Sequence, residues 1–230
     1  MIQRESNYEK VLLLLGTQKG TFVLASDPDR RKWTMSGPHL VGGEAFHVTH
    51  DPRDDTLLAA VNHPVWGSQV HLSEDLGESW VLCESQPRFP EDGNQTINRL
   101  WHVEPGRESE PGTWYVGAEP ASLFRTTDRG RTWDEVTSLS SHPTRDQWQP
   151  GFGGLCLHSI VLHPTDDQRM WVGMSAVGVF GTIDGGASWQ PMNHGVRADF
   201  LPTTYPEFGQ CTHKLLAHPH APDVLYQQNH

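Results

Sequence analysis

The apolar positions of this chain fall into short runs separated by turn-forming residues, a pattern that predicts many β-strands rather than helices. The densest runs, called strand B here, are each followed by a weaker apolar strand, C, and then by a turn. The strand B runs occupy positions 13–16, 57–60, 114–117, 170–173 and 225–228. Their last residues lie 44, 57, 56 and 55 residues apart, and a period near 50 predicts repeated structural units.

A turn motif of the form Ser/Thr-x-Asp-x-Gly-x-x-Trp follows strand C. Full copies begin at Ser73, Thr126 and Thr182, whereas an earlier, degenerate copy keeps only Ser26 and Trp33. Glycine accepts positive φ, and Asp and the hydroxyl residue can hydrogen-bond the backbone of their own turn. The Trp can be buried between neighbouring sheets. The motif therefore predicts a tight turn between strand C and a strand D, and not a reactive site.

A short strand A, ending in a turn that contains proline, precedes each later strand B. Four strands in the order A to D form one antiparallel blade, so the chain is predicted to be an all-β β-propeller in one domain, 1–230. The predicted blades span about 9–37, 44–84, 98–137, 156–193 and, in part, 211–230. Four to five blades are fewer than six or seven, and we expect a truncated copy of a larger ring. A compact five-bladed ring is the alternative.

Composition agrees with short strands and turns and narrows the choice of partners. Hydrophobic residues make up 36% of the chain and charged residues 20%, with 22 Gly and 17 Pro. The net charge of −11 argues against nucleic acid as a partner. The polar start and the short apolar run at 11–15 predict neither a signal peptide nor a membrane span. Three scattered cysteines do not suggest disulfides, so we expect a cytoplasmic protein.

Candidate functional residues lie on the face opposite the turn motifs, in the long D–A loops and at the short B–C corners. Loops carry function more often than strands do, and these loops mix arginines, acids and aromatic residues. Aromatic rings stack on sugars, and arginine binds carboxylates. The substrate-binding candidates are Arg99, Arg145, Arg197, His47, Trp148, His158 and His213. An ordinary solvated loop surface is the alternative interpretation.

Two Cys-x-His segments, Cys156/His158 and Cys211/His213, repeat at a spacing of 55 at the start of strand A. Residues two apart in a strand face the same side, so neighbouring blades could combine them in a zinc site with two cysteine and two histidine ligands. Repetition of a core motif, with buried cysteines and hydrogen-bonded histidines, is the interpretation that the pattern favours. The sequence therefore predicts no cofactor, with a divalent metal as a lesser possibility.

The turn motifs resemble the Asp-box, or bacterial neuraminidase, repeat family, and the pattern covers nearly the whole chain. The resemblance implies a β-propeller. Its members include sialidases, other glycoside hydrolases, sortilin-like receptors and photosystem assembly factors, so it implies no single function. A sialidase also carries an Arg-Ile-Pro or Arg-Leu-Pro segment, which is absent here, because Leu100 and Trp101 follow Arg99.

The resemblance to sialidases further implies a Tyr–Glu nucleophile pair and an Asp acid. Loop location, not a motif, nominates Tyr205 and Glu207 for the pair and Asp199 for the acid, with Glu119 at a B–C corner as a further candidate.

Three hypotheses follow from these residues. The first is a carbohydrate-active enzyme, sialidase-like or another glycoside hydrolase, acting on a small glycan or a ligand that bears a carboxylate. The second is a non-catalytic propeller that binds a protein or a peptide. The third is a metal-dependent lyase or hydrolase centred on His158 and His213. No nucleic acid or membrane partner is expected.

Overall fold

The computed structural model describes residues 10–91 and 95–230, so the first nine positions of the predicted domain, of which only the last belongs to the predicted first blade, lie outside the described residues. Seventeen strands form five antiparallel sheets, called blades 1 to 5. Blade 1 contains β1 (Val11–Thr17), β2 (Gly20–Ser26) and β3 (Trp33–His39); blade 2 contains β4 (Glu44–Asp51), β5 (Thr56–His63), β6 (Gly67–Ser73) and β7 (Val81–Leu82). Blade 3 contains β8 (Arg99–Pro105), β9 (Trp114–Glu119), β10 (Ser122–Thr126) and β11 (Asp134–Glu135).

Blade 4 contains β12 (Leu157–Leu162), β13 (Met170–Met174), β14 (Gly178–Thr182) and β15 (Gln190–Pro191), and blade 5 contains β16 (Thr212–His218) and β17 (Ala221–Asn229). A one-turn helix, α1 (Thr137–Ser140), and a 3-10 turn (Arg145–Gln147) lie between blades 3 and 4. In the described part of the chain, no helix is long and apolar enough to cross a membrane.

The blades follow one another in chain order, because the first strand of each sheet contacts the first strand of the next: β1 with β4, β4 with β8, β8 with β12 and β12 with β16. Blades 2, 3 and 4 are four-stranded, blade 1 has three strands and blade 5 has two. The predicted β-propeller of four-stranded antiparallel blades is therefore confirmed. The five sheets do not form a closed ring, since no pairing joins blade 5 to blade 1 within residues 10–91 and 95–230.

The core lies between neighbouring blades. Leu58 and Val70 of blade 2 pack against Trp114 and Phe124 of blade 3, and a second cluster joins blades 3 and 4 around Phe180. Trp114 is fully buried, and its Nε1 donates a 3.0 Å hydrogen bond to Asp51 of blade 2. Burial of each large apolar side chain stabilises the stack by about 1.5–3 kcal/mol. Packing of blade against blade thus holds the arc together.

The repeated turn motifs, called boxes here, have the hydrogen bonds that the sequence predicts. In the third full box, Thr182 Oγ1 donates to Asp184 at 2.7 Å and accepts from Gly186 N at 3.0 Å, while Ser188 Oγ donates to Asp184 at 2.6 Å. The Ser188 contact is the largest of those that lower the pKa of Asp184 to about 2. These turns lie at the C–D corners and carry no unpaired reactive group.

The motif tryptophans pack back on the preceding blade. Trp189 is buried, and its Nε1 donates at 3.1 Å to Ser138 of α1, the helix that follows blade 3. Trp33, in the degenerate box, is 41% exposed because no blade precedes blade 1 in the described residues. In the three full boxes strand D begins one residue after the Trp instead of at the Trp as predicted, since the turn extends as far as the ring that anchors it.

Candidate functional site

The inner strands β4, β8, β12 and β16 each break their register with the next strand near the first residues. Such a β-bulge leaves one residue out of the ladder and re-aims its side chain. The four bulged residues are Phe46, Trp101, His158 and His213. All four line a cavity of about 520 Å³, called the inner cavity. The bulges therefore direct aromatic and imidazole side chains from four blades into one space.

Two stacked histidines form one wall of the inner cavity. The rings of His47 and His102 lie 3.9 Å apart between centroids and are nearly parallel. His47 Nδ1 donates to the carbonyl oxygen of Val103 at 3.0 Å, so its Nε2 carries the lone pair. Burial lowers the pKa of each imidazole to about 3. Both rings are therefore neutral at pH 7 and offer hydrogen-bonding atoms without charge.

Glu104 lies two residues beyond His102 on the same side of β8, and its Oε2 is 3.0 Å from His102 Nε2. Burial raises the pKa of the Glu104 carboxyl to about 7, although His47 and Lys214 act in the opposite direction. A protonated carboxyl donates to the imidazole nitrogen, and a carboxylate accepts from it. This pair can therefore gain or lose a proton near neutral pH.

Lys214 follows the bulge of β16 and adds a positive charge to the inner cavity. The positive charge of Lys214 lowers the pKa values of His47, His102 and Glu104. For both histidines this effect is smaller than that of burial. An ammonium beside neutral imidazoles suits the oxygen atoms of a polar or anionic ligand.

A second cavity of about 850 Å³, called the outer groove, adjoins the inner cavity and shares Phe152, Cys211 and His230 with it. Most of its walls are apolar, with the amides of Gln147 and Gln149 among the polar exceptions. The apolar part of the lining is Pro150, Phe152, Ala176, Phe200, Leu201 and Phe208. A hydrophobic space with a few polar groups is the ordinary make-up of a ligand pocket, and this volume lies in the usual range.

The turn 151–154 presents Phe152 to solvent. Gly154 N donates to Gly151 O at 3.1 Å and closes the turn, and the Phe152 side chain at its tip is fully exposed. Gly154 has a φ of +96°, and a Cβ at this position would lie 2.4 Å from Glu119 Oε1. Only glycine satisfies both conditions without strain. Glu119 therefore supports the loop that carries Phe152.

The predicted catalytic residues do not converge. Asp199 lines the outer groove but is ion-paired with Arg197, and both side chains are about two-thirds exposed. Tyr205 and Glu207 lie in a separate surface depression beside Asn193. Asn193 holds the backbone there, since its amide donates to the carbonyl of Glu207 at 3.0 Å. The Tyr–Glu pair and the Asp acid thus line two different depressions of one loop, whose two stretches are joined by a 2.8 Å hydrogen bond from Ala198 N to the Thr204 carbonyl.

The fourth candidate, Glu119, is engaged in supporting contacts. Its Oε2 accepts from Trp101 Nε1 at 3.2 Å and lies 3.5 Å from an Arg99 guanidinium nitrogen. Arg99 pairs with Glu119 across the β8–β9 ladder, near the mouth of the inner cavity. Arg99 therefore neutralises Glu119, while about half of its side chain remains exposed to solvent.

Trp148 is not an exposed sugar-stacking residue, contrary to expectation. It is 5% exposed and packs on Phe180, with ring centroids 5.2 Å apart, and its Nε1 donates to Thr144 at 2.9 Å. The guanidinium of Arg145 lies 4.9 Å from the centre of the same ring and donates to the Ala121 carbonyl. Trp148 and Arg145 attach the loop 141–150 to the core. The Trp148 ring is packed there out of contact with water, and the Arg145 guanidinium lies over it.

The two Cys-x-His segments do not form one four-ligand set. Cys156 is buried, and His158 directs Nε2 to the Thr212 carbonyl at 2.9 Å and Nδ1 to Ser159 at 3.0 Å. The bulge at His158 is the reason, because it breaks the simple alternation on which the prediction relied. Cys211 and His213 instead lie beside His230, with the three ligand atoms within 4.8 Å of one another.

His102, Glu104 and Lys214 are not among the candidates that the sequence predicts. One signal was available for His102, which lies 55 residues after His47 and 56 before His158, one blade period from each. Glu104 was assigned only to the turn that it forms with Pro105. Nothing in the local sequence marked Lys214, whose importance depends on packing between blades 5 and 3.

Comparisons with known proteins agree with the fold. No family profile and no curated protein sequence matches the chain. Among solved structures, a GH74 xyloglucanase from Xanthomonas campestris matches 96% of this chain and 40% of its own, with a TM-score of 0.57 and 19% identity. The GH74 enzyme of Niastella koreensis matches 94% of this chain and 32% of its own, with a TM-score of 0.57 and 15% identity. YCF48 from Cyanidioschyzon merolae matches 98% of this chain and 68% of its own, with a TM-score of 0.54 and 12% identity.

These relatives are β-propellers, and at such identities they show the fold alone. The chain spans about two fifths of the length of the xyloglucanase that it matches. Two of these structures are GH74 enzymes, whereas the name YCF48 indicates no activity. The function of this chain therefore has to be inferred from its own site.

Proposed function

We propose that this propeller binds a peptide segment of a partner protein in the outer groove. The observation that carries the proposal is the continuous apolar lining of that groove, with the fully exposed Phe152 at its edge and Phe200 half exposed opposite. Exposed aromatic side chains that surround a concave surface are typical of protein-binding sites. The amides of Gln147 and Gln149 offer both donors and acceptors to a peptide backbone.

The positions of the carboxylates favour binding over glycoside hydrolysis. A glycosidase needs two carboxyl groups about 5–10 Å apart. Glu104 and Glu119 belong to one hairpin, where Glu119 pairs with Arg99, five residues from Glu104 along β8. Because Trp101 bulges out of the ladder, Glu104 pairs with Tyr115, four residues from Glu119, and at about 3.3 Å per residue the two backbones are roughly 13 Å apart along the strands. Asp199 is ion-paired with Arg197 on the loop side.

The proposal is tested by selecting binders for the whole chain from a random peptide library and measuring their affinity by fluorescence anisotropy. We expect Phe152→Ser and Phe200→Ser each to weaken binding at least tenfold, since each removes a large apolar contact at the groove. The matched control is Met35→Ser, which removes an apolar side chain with 68% exposure from blade 1, away from the groove. Equal affinity for wild type and Phe152→Ser, or an absence of any selected binder, would contradict the proposal.

A carbohydrate-active enzyme is the second candidate, and one observation favours it. The Glu104 carboxyl, with its pKa near 7 and its bond to His102, has the protonation behaviour of a glycosidase acid. Lys214 next to it suits a ligand with a carboxylate, such as a sialoside. A panel of chromogenic glycosides, including sialosides, tests this reading. Turnover that Glu104→Gln abolishes supports it, and no turnover on any substrate removes it.

A further inference from the structure

Three potential metal ligands meet where the inner cavity joins the outer groove. They are Cys211, at the start of β16, His213, at the bulge of that strand, and His230, which follows β17. Their ligand atoms all lie within 4.8 Å of one another, and none of the three side chains is buried. Cys211 and His230 line both cavities, so an ion held here would face ligands in either one.

The separation of Cys211 and His213 matches that of two ligands of one zinc ion. Cys211 Sγ lies 3.5 Å from His213 Nε2. Zinc bonds of about 2.3 Å to sulfur and about 2.0–2.1 Å to nitrogen, at a tetrahedral angle, separate these two atoms by about 3.5 Å. The rings of His213 and His230 are perpendicular, with centroids 4.4 Å apart. One thiolate and two imidazoles form a borderline-soft donor set that suits Zn²⁺ better than Mg²⁺ or Ca²⁺.

The surrounding structure holds the first ligand in place. Gln210 is fully buried, and its side-chain amide donates to the carbonyls of Pro206 at 2.7 Å and Val196 at 3.3 Å. Its backbone also bridges to Val177 of blade 4. The residue before Cys211 is therefore fixed at two points of the loop between β15 and β16 and by a neighbouring blade, and the thiol does not have to be ordered when it binds an ion.

An outer partner is also present for His213. The amide nitrogen Nε2 of Gln228 lies 3.5 Å from His213 Nδ1. A flip of this amide, which exchanges its nitrogen and oxygen, would let Nδ1–H donate to the oxygen and would leave Nε2, the atom next to Cys211, free to bind a metal. Outer-shell hydrogen bonds of this kind fix the tautomer of metal-binding histidines.

We propose that Cys211, His213 and His230 form a Zn²⁺ site with three protein ligands and a fourth position open to the two cavities. Sites with three protein ligands and one open position bind water or a substrate atom. A closed site with Cys156 and His158 does not fit, because His158 uses both ring nitrogens in hydrogen bonds. The inference is independent of peptide binding in the outer groove.

The test is a titration of the metal-free chain with Co²⁺, a spectroscopic substitute for Zn²⁺, followed by competition with Zn²⁺. We expect one equivalent to bind, with a thiolate-to-cobalt charge-transfer band and the intense visible bands of a tetrahedral site. Cys211→Ser should remove the charge-transfer band. His213→Gln or His230→Gln should weaken binding by more than the 10–100-fold typical of outer-shell changes.

Matched controls separate this site from its alternatives. Cys156→Ser and His158→Gln should keep both the band and the affinity, and so should His220→Gln at the exposed end of blade 5. All three ligands are at least partly exposed, so their variants are expected to fold, which circular dichroism checks. A charge-transfer band that persists in Cys211→Ser, loss of binding in Cys156→Ser or His220→Gln instead, or no binding by wild type would each overturn the proposal.

Discussion

Replacement of Glu104 by glutamine should change how the stability of the propeller depends on pH. The Glu104 carboxyl has its pKa raised from 4.5 to about 7, mainly by burial. Its folded-state pKa exceeds its unfolded-state pKa, so its contribution to stability is fully present below pH 4.5 and is lost as pH rises through about 7. Glutamine keeps the shape of the protonated acid and cannot ionise, and its amide can still donate to His102.

The size of the effect follows from linkage. A rise of the pKa from 4.5 to about 7 corresponds to about 3.4 kcal/mol between the two protonation states. One third of the Glu104 side chain is exposed, so screening by water reduces this figure to about 1–2 kcal/mol. Relative to wild type, Glu104→Gln should therefore gain about 1–2 kcal/mol in the free energy of unfolding between pH 5 and pH 8.

The neighbouring histidines act on the acidic part of the same pH range, and because the Glu104 charge raises the pKa of His47, their contributions cancel in the comparison only above about pH 6.5. His47 and His102, with each pKa lowered from 6.5 to about 3, lose stability as pH falls below 6.5 in both proteins. Lys214 stays in place in both. The quantity to compare is thus the difference between variant and wild type at each pH.

Urea unfolding followed by tryptophan fluorescence, at pH values from 5 to 8, measures that difference. Glu78→Gln is the matched control, because Glu78 is an exposed glutamate on an Asp-box turn. Its difference from wild type should stay constant with pH. A constant difference for Glu104→Gln as well, or one that favours wild type more strongly at pH 8, would refute the reasoning.

Three further predictions concern the scaffold. Gly154→Ala should weaken peptide binding and lower the melting temperature, because the added Cβ would meet Glu119. The control Gly195→Ala, at a residue with a φ of +77° and open space around the Cβ, should change binding little. Equal effects of the two variants on binding would exclude the contact with Glu119 as the cause. Trp114→Phe should cost about 1–3 kcal/mol in the free energy of unfolding by urea, because it removes one of the two donors to Asp51 Oδ2 and leaves only Arg53; a cost near zero would show that Arg53 alone satisfies this oxygen. The pKa values of the turn-motif carboxylates Asp75, Asp128 and Asp184 are lowered to about 2, so below about pH 4 the unfolded state takes up protons before the folded state does, and acid unfolding should begin there. When all three are changed to alanine, acid titration followed by circular dichroism should show that unfolding begins at a higher pH.

The fold was readable from the sequence because its determinants are local and repeated. The run at 114–117 falls within β9, and the box at Thr126 forms its turn with residues that lie within seven positions of one another. Turn chemistry and apolar periodicity act over such short distances, and five copies reinforced each other. Only the start of strand D differed, by one residue.

The site was less predictable because it depends on contacts between blades. Alternation along strand A predicted that Cys156 and His158 would face the same way, but the bulge turned His158 towards the backbone of blade 5. Trp148 appeared available in a long loop, yet its ring is part of the core between blades 3 and 4. Glu104 acquires its unusual pKa only from the walls that enclose it.

The repeated bulge also bears on how such a protein can change its ligand. At equivalent backbone positions the four inner strands carry Phe46, Trp101, His158 and His213, two hydrophobic rings and two imidazoles. Because these residues take no part in the ladder, they can be exchanged while every neighbouring strand keeps its pairing. The lining of the inner cavity can therefore change one blade at a time. Its selectivity could be redesigned at these four positions while the fold of the propeller is kept.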